Sequence, residues 1–324
     1  MQNGPMKTTS LLAALLVLSA APAQAQQDYP NRPLTIVVGY APGGFTDLFG
    51  RMVGEELGNR LGQKVIVENK PGAAGTIGGA FVAKAAPDGY TLLVASPPHV
   101  ISPLLQGRQP YQPAADFRST GLLGFTPSVL VASPSAPFNT LQELVAYAKA
   151  NPGKLNYASG SVGASSHLSM ELFKLEAGKL DILHIPYKGS APIATDLLGG
   201  RINMVIDNVL FYAPYIKDGR VKAIAAVGKQ RSSLLPEVRT FSELGYPQIE
   251  AQAWYMMLVP AGTPTPIVNR LNKELTAAMQ KPAIREKMAG AEFASSTPDE
   301  GDALLKSELA KWGKVVREAG IKAE

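Results

Sequence analysis

Twice in this chain a short apolar run stops at a glycine-rich loop and restarts as a helix, and that recurrence limits the fold more than any other feature. The first instance runs from Leu34–Val38 through Tyr40-Ala41-Pro42-Gly43-Gly44-Phe45-Thr46-Asp47 into a helical stretch from Leu48 to Leu61. A strand that turns into a helix over two glycines leaves several backbone N–H groups unpaired and aimed forward, which makes an anion cradle. Glycine lets the backbone approach a ligand with no Cβ in the way, and Thr46 or Asp47 is expected to cap the helix. The second instance is the short strand Asn156-Tyr157-Ala158, the loop from Ser159 to His167 (SGSVGASSH), and a helix from about Ser166 to Leu175. Periodic elements flank this loop on both sides, which argues for a ligand loop over a flexible connector.

The spacing between these features predicts an α/β fold. Leu34–Val38 and Lys64–Glu68, separated by one helix, read as a βαβ unit with a parallel pair. A glycine-rich stretch from Asn69 to Gly79 feeds a helix at Ala80–Ala86, and a third strand, Tyr90–Ala95, ends at Ser96-Pro97-Pro98-His99. Strands that end in small or polar loops suit an open sheet that binds ligand at the carboxyl ends of its strands. Thr120–Ala132 is extended chain interrupted at Pro127, read as the crossing into a second domain. There, helices are expected at Leu141–Ala150 and before Gly199-Gly200. Strands are expected at Asp181–Ile185, Ile202–Ile206 and Val221–Val227, with Asp207-Asn208 at a strand tip.

The last third returns to the first domain. Trp254–Val259 is apolar and aromatic, Pro266–Met279 is strongly helical, Ala283–Ala289 is a further helix, and Thr297-Pro298-Asp299-Glu300 begins a final amphipathic helix. The expected organisation is residues 1–25 as a signal peptide, 26–126 with 240–324 as a discontinuous first domain, and 127–239 as the second. Two domains of similar build would then face each other across a cleft that closes on a small molecule.

Composition narrows the function. Lys7, the apolar run Leu11–Ala21 and Ala23-Gln24-Ala25 have the order of a secretory signal, with cleavage expected after Ala25 and export to the periplasm. That segment holds one lysine and no acid, so its removal lowers the formal charge from +5 to +4. Lys and Arg are scattered, which argues against nucleic acid as a partner. The chain has no Cys and only His99, His167 and His184, so a thiol nucleophile is excluded and a His-rich metal site is not expected. No cofactor is expected either, because Gly-x-Gly-x-x-Gly does not follow the first strand and the Walker A pattern is absent. Ser165, His167 and Asp207 invite a hydrolase reading, yet the loop reads Gly-Ala-Ser-Ser-His where a nucleophile elbow needs G-x-S-x-G. Lys188 and Asp207 are the charged residues at loop tips. Tyr40, Phe45, Tyr187, Phe211 and Trp254 could wall a ligand or fill a core.

Several stretches then carry a family resemblance: Tyr29-Pro30-Asn31-Arg32-Pro33, the loop Pro42-Gly43-Gly44 to Asp47 with Arg51, Asn69-Lys70-Pro71-Gly72, Ala86-Pro87-Asp88-Gly89-Tyr90, Asn151-Pro152-Gly153, Pro186-Tyr187-Lys188-Gly189 and Pro260-Ala261-Gly262-Thr263-Pro264. In this order, from about Tyr29 onward, the chain resembles the Bug-type, TctC-like solute receptors of tripartite tricarboxylate transporters. The resemblance implies a periplasmic binding protein of two domains (type II-like) that closes on a small carboxylate, an aromatic acid or an amino acid. It also implies delivery of that ligand to membrane permease subunits. Position by position it points to Gly44, Thr46, Asp47, Ser96, Gly163, Ser165 and Asp207 as ligand-binding; Tyr40, Phe45, His99, Ser159 and Tyr187 complete the candidate set. Phe45 stands where a small residue is common, which suggests a ligand with an apolar or aromatic body. A monomer is expected. The competing expectations are a secreted serine hydrolase using Ser165 and His167, and a sensor that presents its ligand to a signalling partner.

Overall fold

A computed structural model describes residues 29–322 apart from 108 and 289; the expected signal peptide, 1–25, lies outside the described residues. The chain opens with β1 (Leu34–Val38), α1 (Phe45–Leu61), β2 (Val65–Asn69), α2 (Thr76–Ala83), β3 (Thr91–Ala95), α3 (Pro98–Leu105) and β4 (Phe117–Thr126). After Pro127 come β5 (Ser128–Ala132), α4 (Leu141–Ala150), β6 (Leu155–Ser159), α5 (Ser165–Glu176), β7 (Ile182–Pro186), α6 (Ser190–Leu198), β8 (Met204–Asn208), α7 (Val209–Lys217) and β9 (Lys222–Val227). The chain ends with β10 (Ala253–Pro260), α8 (Thr265–Met279), α9 (Pro282–Lys287), β11 (Glu292–Phe293) and α10 (Pro298–Glu318).

Among the described residues these strands form two sheets, ordered β11-β4-β10-β3-β1-β2 and β7-β6-β8-β5-β9. The first sheet draws on both ends of the chain and the second on the middle, so the fold is the mixed α/β, two-sheet arrangement with a discontinuous first part. The last third contributes more than helices. β10 lies between β3 and β4 and pairs antiparallel with both, so a segment late in sequence occupies the centre of the sheet.

The two halves share one topology. β1 is parallel to β2 on one side and β3 on the other, and β6 is parallel to β7 and β8 in the same way. The chain therefore leaves β1 and β6 at points where the strand order reverses, the position at which loops splay apart and ligands enter open α/β sheets. Register puts the strand ends level: Val38 pairs with Asn69 and Val94, and Ser159 with Pro186.

α1 is set close to its sheet by a stripe of small residues. A Cβ on Gly54 would lie 3.3 Å from Val65 and Val67, and one on Gly50 would lie 3.0 Å from Val38. On the neighbouring stripe, Phe49, Val53 and Leu57 are buried with Leu34, Ile36 and Val38. This close seating fixes where the first turn of α1 points. At the other end of the chain, α10 starts with a full capping box between Thr297 and Glu300. It is pinned by buried Glu308, which accepts hydrogen bonds from the indoles of Trp254 at 2.9 Å and Trp312 at 2.8 Å and pairs with Lys311. One apolar cluster joins Leu130 and Phe173 of the second half to Trp254 and Trp312 of the first.

Candidate functional site

The loop after β1 and the loop after β6 are built alike. In each, the residue before the helix N-cap is a glycine with positive φ, Gly43 at +94° and Gly163 at +76°. In each, the N-cap is extended and its side chain accepts no cap bond: Gly44 in α1 and Ala164 in α5. In each, the third helical residue reaches back to that glycine. Asp47 Oδ2 accepts from the Gly43 amide at 2.9 Å, and His167 Nδ1 accepts from the Gly163 amide at 3.0 Å. Neither Thr46 nor Asp47 is the cap residue, a correction to the sequence expectation; Asp47 instead ties down the loop in front of the cap.

This leaves the amides of Phe45, Thr46 and Asp47, and those of Ser165, Ser166 and His167, with no acceptor among the described residues. Each set is the positive end of a helix dipole, and α1 and α5 are 17 and 12 residues long. Backbone donors of this kind hold an anion without a charged side chain.

A cavity of about 210 Å³ opens at the start of α5, where the chain crosses between the sheets. Ser165, Ser166 and Ser169 line it from α5; Ile206, Asp207 and Asn208 line it from the tip of β8. The crossing itself adds Thr126 and Ser128, and β10 adds Ala253 and Tyr255. Register explains the meeting, since Ser128 pairs with Asn208 while Ala253 pairs with Thr126. Tyr255 also stacks on Phe49 at 4.6 Å and lies 6.5 Å from Phe45, so one lining residue sits beside the first turns of α1. Gly163 abuts the first half as well: a Cβ there would lie 2.4 Å from Leu105 of α3.

The model of the tripartite tricarboxylate transporter family receptor matches residues 49–321. The chain belongs to that family. The receptor is 38% identical to Protein BugT of Bordetella pertussis over 326 aligned residues, covering 98% of this chain and 99% of the relative. Among solved structures it resembles an R. palustris protein determined with adipate, at 34% identity and TM-score 0.72, covering 91% of this chain and 99% of that one. It also resembles MatC from Rhodopseudomonas palustris with bound malate, at 31% identity and TM-score 0.69, covering 89% of this chain and 100% of that one.

The candidate residues sort by their partners in this receptor. Ser165 and Asp207 line the cavity, and Gly44 is exposed at the mouth of the first cradle, where a Cβ would meet nothing within 4 Å. Tyr40 is largely buried, receives the Ser96 hydroxyl at 3.2 Å, and is pushed up to about 12 by that burial. Ser159 is fully buried; its hydroxyl donates to the Ser161 carbonyl at 2.9 Å and so accepts from His184 Nε2 at 2.6 Å. Thr46 is buried behind the loop.

Three candidates have polar atoms engaged within the protein. Asp47, 2% exposed, gives both carboxylate oxygens to Gly43, Arg51 and Asn69. His99 lies inside α3, stacked on Tyr111 at 4.9 Å with Nε2 on the Pro113 carbonyl at 3.1 Å. Its Pro-Pro-His stretch is the start of a helix, because proline fits a first helical turn. Tyr187 donates to Asp196 at 2.7 Å. Trp254 and Phe211 are likewise packed into the interior or against neighbouring rings. Sequence reasoning missed Thr126, Ser128, Ser166, Ser169 and Tyr255. Their signal is the pairing of β4 with β10 and of β5 with β8 at the crossing, which no local motif encodes.

All three histidines are held neutral. Burial depresses His99 to about 4 and His167 to about 3, with repulsion from His184 adding to the effect at His167; burial also lowers His184. An unfolded chain takes up these protons below about pH 6.5 while the native state refuses them. Stability is therefore complete above that pH and falls as pH drops towards 4. The urea midpoint should fall between pH 7 and pH 4.5, and His99→Gln should shrink the drop. Equal midpoints at both pH values would contradict the neutral assignment.

Proposed function

We propose that this receptor is exported, cleaved after Ala25, and captures a small organic carboxylate between the two cradles. The observation that carries this reading is the doubled loop. Two helix N-termini, one from each half of the chain, each leave three amides without an acceptor among the described residues, and a carboxylate satisfies such donors without a metal or cofactor. The adipate and malate in the two R. palustris neighbours support the same ligand class. The halves, 26–126 with 240–324 and 127–239, would close about Pro127 and the 228–252 segment. In this reading the receptor is a monomer; the family description supports its handing the ligand to membrane permease subunits.

The hydrolase reading is disfavoured by His167. Its Nδ1 lone pair is taken by the Gly163 amide, so the proton sits on Nε2 and the ring is not poised as a base for Ser165. A thermal-shift screen of organic acids beside an assay of generic esters tests both readings. Several acids should raise the melting temperature with no ester turnover. Turnover lost in Ser165→Ala would overturn the receptor assignment, and a panel of acids with no shift would overturn the ligand class.

A further inference from the structure

Resting on the carboxylate reading, the cavity walls carry the ligand class further. Only Ile206 and Ala253 of its lining lack a polar side-chain atom; hydroxyls of Ser128, Ser165, Ser169, Thr126 and Tyr255 supply most of the rest. A polymethylene or plain aromatic body would strip water from these groups and return no hydrogen bonds. The decisive side chain is Asp207. It accepts from the Asn208 amide at 2.8 Å, and burial raises its pKa from the ordinary value. An ionised carboxylate is acceptor-only, with about four lone-pair sites. The remaining sites border the cavity, where a second ligand carboxylate would be repelled and a bare methylene would leave them dry.

We propose that this receptor selects organic acids carrying a hydrogen-bond donor, a hydroxyl or an ammonium, near the captured carboxylate, with Asp207 as the acceptor that reads it. The cradles hold the carboxylate and Asp207 sets specificity. Hydroxyl and ammonium share the chemistry that Asp207 recognises, and the two differ in charge. Asp207→Asn keeps an acceptor oxygen of the same shape and removes the charge, so it should cost an ammonium ligand far more than a hydroxyl ligand.

The test is calorimetric titration of the intact mature receptor with pairs that share a carbon skeleton: malate against succinate, aspartate against succinate, and mandelate against phenylacetate. In each pair that binds, the donor-bearing acid should bind at least about thirty-fold tighter, because its loss leaves a half-buried acceptor unpaired. Asp207→Ala should shrink that ratio to within about three-fold while leaving a measurable affinity for the plain acid, since the cradles remain. A plain acid that binds as tightly as its donor-bearing partner overturns the proposal and leaves the carboxylate reading standing. So does an unchanged ratio in a folded Asp207→Ala variant, checked by its melting curve. Failure of all five acids to bind would remove the carboxylate reading as well.

Discussion

Replacing Gly44 by Val should abolish ligand binding, a loss of more than about 100-fold, while the melting curve stays nearly where it was. Gly44 has φ −80° and ψ 167°, extended backbone that any residue adopts, and a Cβ there meets nothing within 4 Å. It makes no side-chain cap bond, so the cost to the helix is about 1 kcal/mol or less. What the branched side chain does occupy is the space in front of the Phe45, Thr46 and Asp47 amides. Ligand and side chain then compete for one volume. Calorimetry with the tightest acid, beside a thermal melt, reads both quantities. Unimpaired affinity in a folded Gly44→Val variant would remove the first loop from the site. The contrast is Gly75, where φ is +92° and a Cβ would sit 2.9 Å from the Tyr40 ring, so any side chain there strains the fold itself.

Asp47→Ala should act on stability and binding together. The Asp47 carboxylate receives the Gly43 amide at 2.9 Å, Arg51 Nε at 3.0 Å and Asn69 Nδ2 at 2.8 Å. Its truncation strands a buried amide and an arginine, at a cost of about 3 kcal/mol. The loop also loses the bond that fixes Gly43 in front of the cap, so affinity should drop by at least about tenfold even well below the melting temperature. Burial pulls the Asp47 pKa up, but the bonds from Arg51, Gly43 and Asn69 outweigh it and leave the carboxyl below its ordinary value. Its contribution is thus present above the unfolded carboxyl pKa, near 3.9, and is lost as pH falls through the lower folded value. The variant should show a smaller acid-induced loss of stability in that window. Denaturant melts at pH 7 and pH 3 check this, and an unchanged midpoint at pH 7 would show that the three bonds hold nothing.

His167 occupies in α5 the place that Asp47 occupies in α1, and the comparison shows how far local sequence reaches. Both loops were legible as strand, glycine turn and helix, because glycine at positive φ and the change from alternating to helical periodicity are local properties. The equivalence of Asp47 and His167 was not. One is an anion balanced by Arg51, the other a neutral ring stacked on His184 at 3.9 Å, and only the shared bond to the preceding glycine relates them. From sequence, an acid beside a glycine loop such as Asp47 looks the same whether it faces ligand or its own backbone. His99 and Tyr187 make a related point: a polar side chain near a loop can satisfy itself inside.

The sequence alone determined the class of fold, the two helix N-termini and the kinship of the chain, all of which rest on local pattern and ordered motifs. Tertiary structure decided which residues meet. Tyr255 reaches the cavity only because β10 is inserted between β3 and β4, and Ser128 stands beside Asn208 only because β5 pairs antiparallel with β8. Those neighbours are 80 to 130 positions apart in the chain, and no period of 2 or 3.6 residues carries information over such a distance. Strand pairing across the crossing supplies it, through backbone hydrogen bonds that every residue can make.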